Sequence, residues 1–179
     1  MIWDAILKTQ RQAKYPTENF VRFVARNYYD APDRSKISFL DLGCGAGANA
    51  RYLRAEGFLV FTVDKSPEAH ADFTFDLSLP AWPIPARFDC VLDNNTFCHL
   101  EHPPIGMAHL LLKDGGIFFS VCPTSETWRG HLVGKGYCRC ATNDEIRDLF
   151  HGFSNVQIGY ACYPQDGHTI SSWIVEAEK

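Results

Sequence analysis

The sequence predicts an α/β fold: a doubly wound, mostly parallel seven-stranded sheet with helices on both faces and an antiparallel C-terminal hairpin. Three observations carry that expectation. Residues 37–42 form a short apolar run of buried-strand type that leads into glycines at alternate positions, Gly43, Gly45 and Gly47. Strand-like and helix-like segments then alternate along the chain. The last two strand-like runs, 156–162 and 169–175, are separated by a link too short for a parallel crossover, so they must pair as an antiparallel hairpin.

Each element has a local justification. A segment over residues 3–29 precedes the sheet and contains a helix from Thr17 onward, with Phe20, Val24 and Asn27 or Tyr28 on one side. After the glycines, Ala46, Ala50 and Leu53 recur at helical spacing, and Gly57 is placed to end that helix. Residues 58–63 give a second strand closing on Asp64, residues 72–76 a short third and residues 88–93 a fourth. A short helix is expected over 96–101, stopped by Pro103 and Pro104, and another over 105–112. The turn Lys113-Asp114-Gly115-Gly116 opens a fifth strand at 117–122. Thr142-Asn143-Asp144-Glu145 reads as a capping box, starting a helix whose Ile146, Leu149, Phe150 and Phe153 form an apolar face.

Composition excludes several classes. With 179 residues, 46% hydrophobic, the chain suits one domain with a substantial core, organised as an N-terminal helical cap over residues 1–35 and a sheet core over 36–179. A net charge of −4 with scattered Lys and Arg offers no basic stripe for a duplex nucleic acid. No secretory leader and no long apolar span are evident, so a cytoplasmic protein away from the membrane is expected. Seven cysteines, an odd number, point to reduced thiols. Cys138 and Cys140 with Cys98, His99 and His102 raise the thought of a zinc site. Cys-x-Cys spacing is atypical and the two halves lie far apart in sequence, so no metal is assigned.

The glycine stretch carries the chemistry. Asp64 follows about twenty positions after the turn, where a carboxylate at a strand tip can accept hydrogen bonds from both hydroxyls of a ribose. Read from Gly45, the residues fit the Gly-x-Gly-x-x-Ala form of a dinucleotide site; read from Asp41, they are Asp-x-Gly-x-Gly-x-Gly. The second form closely resembles motif I of the class I S-adenosylmethionine-dependent methyltransferases. The resemblance extends over nearly the whole chain: Asp64, Asp76 after the third strand, Phe88-Asp89-x-Val91, the 112–116 turn and the terminal hairpin. Two departures stand out, namely Asp114 where many members have Pro, and Asp93-Asn94-Asn95-Thr96 where DNA amino-methylating members carry Asn/Asp-Pro-Pro-Tyr/Phe.

That resemblance implies S-adenosylmethionine as cofactor, S-adenosylhomocysteine as product and methyl transfer as the activity. It implies that Asp41 and the Gly43, Gly45 and Gly47 backbone hold the methionine part and Asp64, with Lys65 beside it, the ribose. Asp76 and Leu77 would face the adenine, and Asp93 would line the site near the sulfonium, with a catalytic role. His99, just beyond the fourth strand, is the expected general base. Substrate recognition is expected in the N-terminal segment, with Tyr15, and in the loop 123–141, with Trp128, Arg129, His131, Lys135 and Tyr137. Such a mix suits a small planar or anionic acceptor, whose nucleophilic atom and the oligomeric state the sequence leaves open. Two rivals remain: a non-catalytic cofactor-binding module, and a nicotinamide oxidoreductase, disfavoured because no Tyr-x-x-x-Lys pair and no second domain occur.

Overall fold

A computed structural model describes residues 2–9, 14–132, 136–165 and 167–179, without the His131 side chain. In chain order the elements are α1 (Ile2–Lys8), α2 (Glu18–Tyr28), β1 (Ser38–Leu42), α3 (Ala48–Ala55), β2 (Leu59–Asp64), β3 (Phe73–Thr74), β4 (Phe88–Asn94), α4 (Ile105–Leu111), β5 (Leu112–Pro123), α5 (Asn143–Leu149), β6 (Ser154–Gln165) and β7 (His168–Glu178). They build one seven-stranded sheet in the order β3-β2-β1-β4-β5-β7-β6. β1 to β5 are parallel to one another, whereas β7 is inserted antiparallel between β5 and β6.

β1 is buried along its whole length, which explains its mainly apolar make-up and makes its one carboxylate, Asp41, exceptional. Its side chains alternate between two cores. Phe39 packs with Phe20, Phe23, Val24 and Tyr28 of α2 and Ala50 and Leu53 of α3. Leu40 and Leu42 pack on the other face with Ala108 and Leu111 of α4 and Ile146 and Phe150, at α5. The predicted α2 face thus packs on the sheet. At α5 the capping box is complete: Thr142 Oγ1 accepts from the Glu145 N–H, and Glu145 accepts from the Thr142 N–H at 2.7 Å.

Three expectations need correction. The third strand shrinks from 72–76 to Phe73–Thr74, because the Asp72 carboxylate turns inward to accept from Thr62 N, Thr62 Oγ1 and Arg54, and Asp76 caps a turn by accepting from Ser78 N. The helix expected over 96–101 is a single 3-10 turn, Phe97–His99, since Leu100 is extended and Asn95 adopts the left-handed region at φ +60°. Instead of opening at residue 117, β5 runs from Leu112, its Lys113–Gly116 turn taken up as a bulge between the Phe88↔Leu112 and Cys90↔Ile117 pairings. Among the described residues no helix is long and apolar enough to cross a membrane.

Candidate functional site

Sequence-consecutive β3, β2 and β1 run toward one edge, and β4 and β5 continue from the other side of β1, so the strand order reverses between β1 and β4. Loops leaving the carboxyl ends of these two strands diverge there and open a crevice. A cleft of about 720 Å³ lies at that place, lined by Asp41, Gly43, Gly45, Asp64, Lys65, Asp76 and Leu77 on one side and by Asn94 to Thr96, Cys98, His99 and Tyr137 on the other. Ile2, Trp3, Ile6 and Leu7 of α1 also line it.

The glycine loop is fixed by backbone geometry. Gly43, Gly45 and Gly47 all have positive φ, and the Gly43 and Cys44 N–H groups both donate to Val63 O. A Cβ on Gly43 would overlap the Thr96 side chain, so the loop can approach the turn after β4 only with glycine at this position. Asp64 ties the loop to β2: Oδ2 accepts from Gly45 N at 2.9 Å and Oδ1 from Ser66 N at 2.9 Å. Each oxygen keeps lone-pair capacity for a further donor.

Asp41 is different. It is 1% exposed, its Oδ2 has no hydrogen-bond partner among the described residues, and burial, together with the charges of Asp64 and Asp93, pushes its carboxyl up to about 7. A buried carboxylate without a donor is an expensive arrangement, and it fits a cationic group placed against the loop. Asp76 and Leu77 sit at the far end of the same wall, with Lys65 Nζ 3.9 Å from the Asp76 carboxylate.

Asp93 does not reach the cleft. Strand alternation puts it with Val91 on the α4/α5 face, where it borders a small void beside Ile146, Leu149 and Phe150. Its Oδ1 accepts from Thr96 N and Phe97 N, both at 2.9 Å, and its Oδ2 from Ser120 Oγ at 2.8 Å. Burial pushes this carboxyl up to about 6 against the opposing pull of those donors. Its place is that of a brace for the turn that carries His99, and the expected position beside a reacting centre is not found.

The expected substrate residues separate. Tyr15 and Tyr137 line the cleft, whereas Trp128 and Arg129 do not. Trp128 stacks on His168 with ring centroids 4.1 Å apart, clamping the segment after β5 to β7. Lys135 lies outside the described residues. Sequence reasoning did not find α1 as a helix, although Ile2, Trp3, Ile6 and Leu7 at helical spacing are its signal. α1 has no buried residue, yet it bridges the cleft: Asp4 accepts from Ser66 Oγ, Lys8 pairs with Glu68 at 3.3 Å, and the Trp3 ring meets the His99 ring edge-on at 4.8 Å. His99 Nδ1 lies 2.8 Å from Tyr137 O, and Cys98, His99 and Cys138, widely separated in sequence, come together.

Comparison with known proteins fits this architecture. A family model described as a methyltransferase domain matches residues 9–158. No curated protein matches by sequence. Among solved structures, a protein of the conversion of a disulfide bond into a thioacetal group during echinomycin biosynthesis superposes with a TM-score of 0.68 at 16% identity, over 99% of this chain and 91% of that one. A SAM-dependent methyltransferase from Archaeoglobus fulgidus gives 0.62 at 15% identity, over 91% and 95%. The Burkholderia thailandensis 1,6-didemethyltoxoflavin-N1-methyltransferase, with its substrate and S-adenosylhomocysteine bound, gives 0.57 at 20% identity, over 99% and 88%. At such identities the likeness is one of fold.

Proposed function

The chain belongs to the methyltransferase-domain family, and from that premise we propose that it transfers a methyl group from S-adenosylmethionine to a small-molecule acceptor held beneath α1. The observation that carries the reading is the buried Asp41 carboxylate under the glycine loop, whose Oδ2 has no partner among the described residues and suits the ammonium of the cofactor's methionine part. Asp64 has the spare acceptor capacity for ribose hydroxyls. Asp76 and Leu77 are left for the adenine, with Lys65 holding the Asp76 side of that wall.

When bound, S-adenosylmethionine supplies a methyl carbon on a sulfonium leaving group. The chain's share is positional: it holds that centre in line with the acceptor and keeps water away from it. Within the N-terminal segment it is α1 that serves as the cap, with Trp3 on the acceptor side together with Tyr15 and Tyr137, whereas α2 belongs to the sheet core. The absence of a basic stripe and a cleft of about 720 Å³ favour a small acceptor over a duplex nucleic acid.

Titration calorimetry with S-adenosylhomocysteine, followed by transfer of a labelled methyl group to a panel of small thiols, amines, phenols and carboxylates, tests the proposal. Binding together with transfer to one acceptor class is the expected result. Tight binding without turnover on any acceptor would mark a non-catalytic module, and no binding would overturn the site assignment itself.

A further inference from the structure

The wall of the cleft opposite the glycine loop contains a cluster that methyl transfer by positioning does not require. One ligand-type atom from each of Cys98, His99 and Cys138 lies within 4.8 Å of the other two. Cys98 is buried and Cys138 half-buried. His99 is held by the residue next to Cys138. Its Nδ1 lies 2.8 Å from Tyr137 O, and because a carbonyl can only accept, the tautomer that makes this bond carries its hydrogen on Nδ1 and leaves Nε2 for a cation. An imidazole whose other nitrogen donates to a backbone carbonyl is the usual arrangement around a metal-bound histidine.

Both chain segments are pinned. Arg139 N donates to Cys98 O at 2.6 Å, joining the two segments that carry the cluster. Cys98 and His99 also line the cofactor cleft, so the cluster faces it.

From this geometry we propose that Cys98, His99 and Cys138 form a binding site for a thiophilic divalent cation of the zinc type, with its fourth coordination position open to the cleft. Two thiolates and one imidazole are a donor set selected by zinc, and three protein ligands with one open position is the arrangement of a reactive rather than a purely structural centre. Tetrahedral bonding at about 2.3 Å to sulfur and about 2.0 Å to nitrogen sets ligand atoms about 3.5 to 3.8 Å apart. Closure of the cluster by about 1 Å therefore suffices. A ring nitrogen engaged by a cation cannot also take a proton, so the site replaces the general-base role expected of His99 and reverses the expectation that no metal binds. A thiol or hydroxyl acceptor at the open position would lose its proton to solvent more readily next to the cation.

Metal content is read independently of methyl transfer, so failure here and failure of the proposed function are distinguishable. The experiment is zinc titration of the reduced protein against a chromophoric chelator, with bound zinc quantified by elemental analysis after gel filtration, and with cobalt as a spectroscopic substitute. We expect one zinc per chain and thiolate-to-cobalt charge-transfer absorption in the near ultraviolet. The Cys98→Ser and Cys138→Ser variants should each weaken zinc at least tenfold, and His99→Ala about tenfold. Cys162→Ser, altering an exposed thiol on β6, should leave binding unchanged. Circular dichroism identifies any variant that fails to fold, and in that case His99→Gln and the wild-type cobalt spectrum decide the matter. Absence of zinc from the reduced protein, full retention by the Cys98→Ser/Cys138→Ser double variant, or a Cys98–Cys138 disulfide that forms in place of metal binding under reducing conditions would each overturn the assignment.

Discussion

On the glycine-loop side of the cleft, contacts come from backbone groups and from carboxylates held at strand ends; on the opposite side they come from side chains carried by α1, by the turn after β4 and by the segment before α5. The first wall is over-determined. Gly43, Gly45 and Gly47 are fixed by positive φ, by hydrogen bonds to Val63 O and by the grip of Asp64 on Gly45 N. In the second wall the turn after β4 is braced by Asp93 and tied to the segment before α5 by Arg139 N, but α1, which covers it, has no buried residue. The difference follows from the demands on each side: a cofactor shared by a family asks for one fixed shape, whereas acceptor choice is set where side chains can change without disturbing the sheet.

The sharpest way to break this comparison is at Asp64. Asp64→Ala removes both the grip on the loop and the acceptor proposed for the ribose, and should weaken S-adenosylhomocysteine by about 3 kcal/mol, roughly a hundredfold. Calorimetry showing an affinity within threefold of wild type would mean that the loop needs no such anchor.

Next in size is Asp41→Asn. Cofactor affinity should fall by about 2 kcal/mol while the cofactor-free protein becomes more thermostable, because a buried charge without a donor has been removed. With its carboxyl raised to about 7 in the folded state, Asp41 holds its proton more tightly there than in the unfolded chain. Its contribution to stability is therefore complete in acid and is lost as pH rises toward and through 7. Melting temperatures of the cofactor-free wild type should show that decline and Asp41→Asn should show less of it; identical pH profiles would detach the effect from Asp41.

The second wall should respond in a different currency. Trp3→Ala is expected to raise acceptor KM about fivefold with cofactor affinity unchanged and Tm shifted by no more than about 2 °C, since the ring covers the cleft without entering a core. A collapse in Tm would instead make α1 part of the folding unit.

The smallest effect is assigned to Trp128→Ala. Loss of its stack on His168 should cost about 1 kcal/mol of stability, measured by denaturant melts, and leave acceptor KM unchanged. A change in KM without a change in stability would return Trp128 to the acceptor site.

The same contrast decides what the sequence could reveal. Asp41, the glycines, Asp64 and the Thr142 capping box are legible because each is a short-range pattern with a backbone reason. The antiparallel hairpin is legible because chain length between two strands limits their pairing. Asp93 misleads for a physical cause: its position at a strand tip is readable, but the parity of the pleat, which turns it toward α5, is not. The helix expected over 96–101 fails because Asp93 and left-handed Asn95 shape that turn. Cys98, His99 and Cys138 become a group only once β4 and β5 lie side by side, and no local periodicity anticipates that.

The insertion of β7 between β5 and β6 has a consequence for biosynthesis. A chain leaving the ribosome presents β6 before the strand that will join it to the sheet exists, so for that interval the edge of β5 stays open and Tyr160 and Tyr163 of β6 have no neighbouring strand. The glycine loop, by contrast, belongs to β1, α3 and β2, which are complete early and pair at short sequence separation. Folding of this molecule is therefore vectorial in a lopsided way: its ligand cradle can form while synthesis continues, and the sheet locks only when β7 threads into its reserved lane.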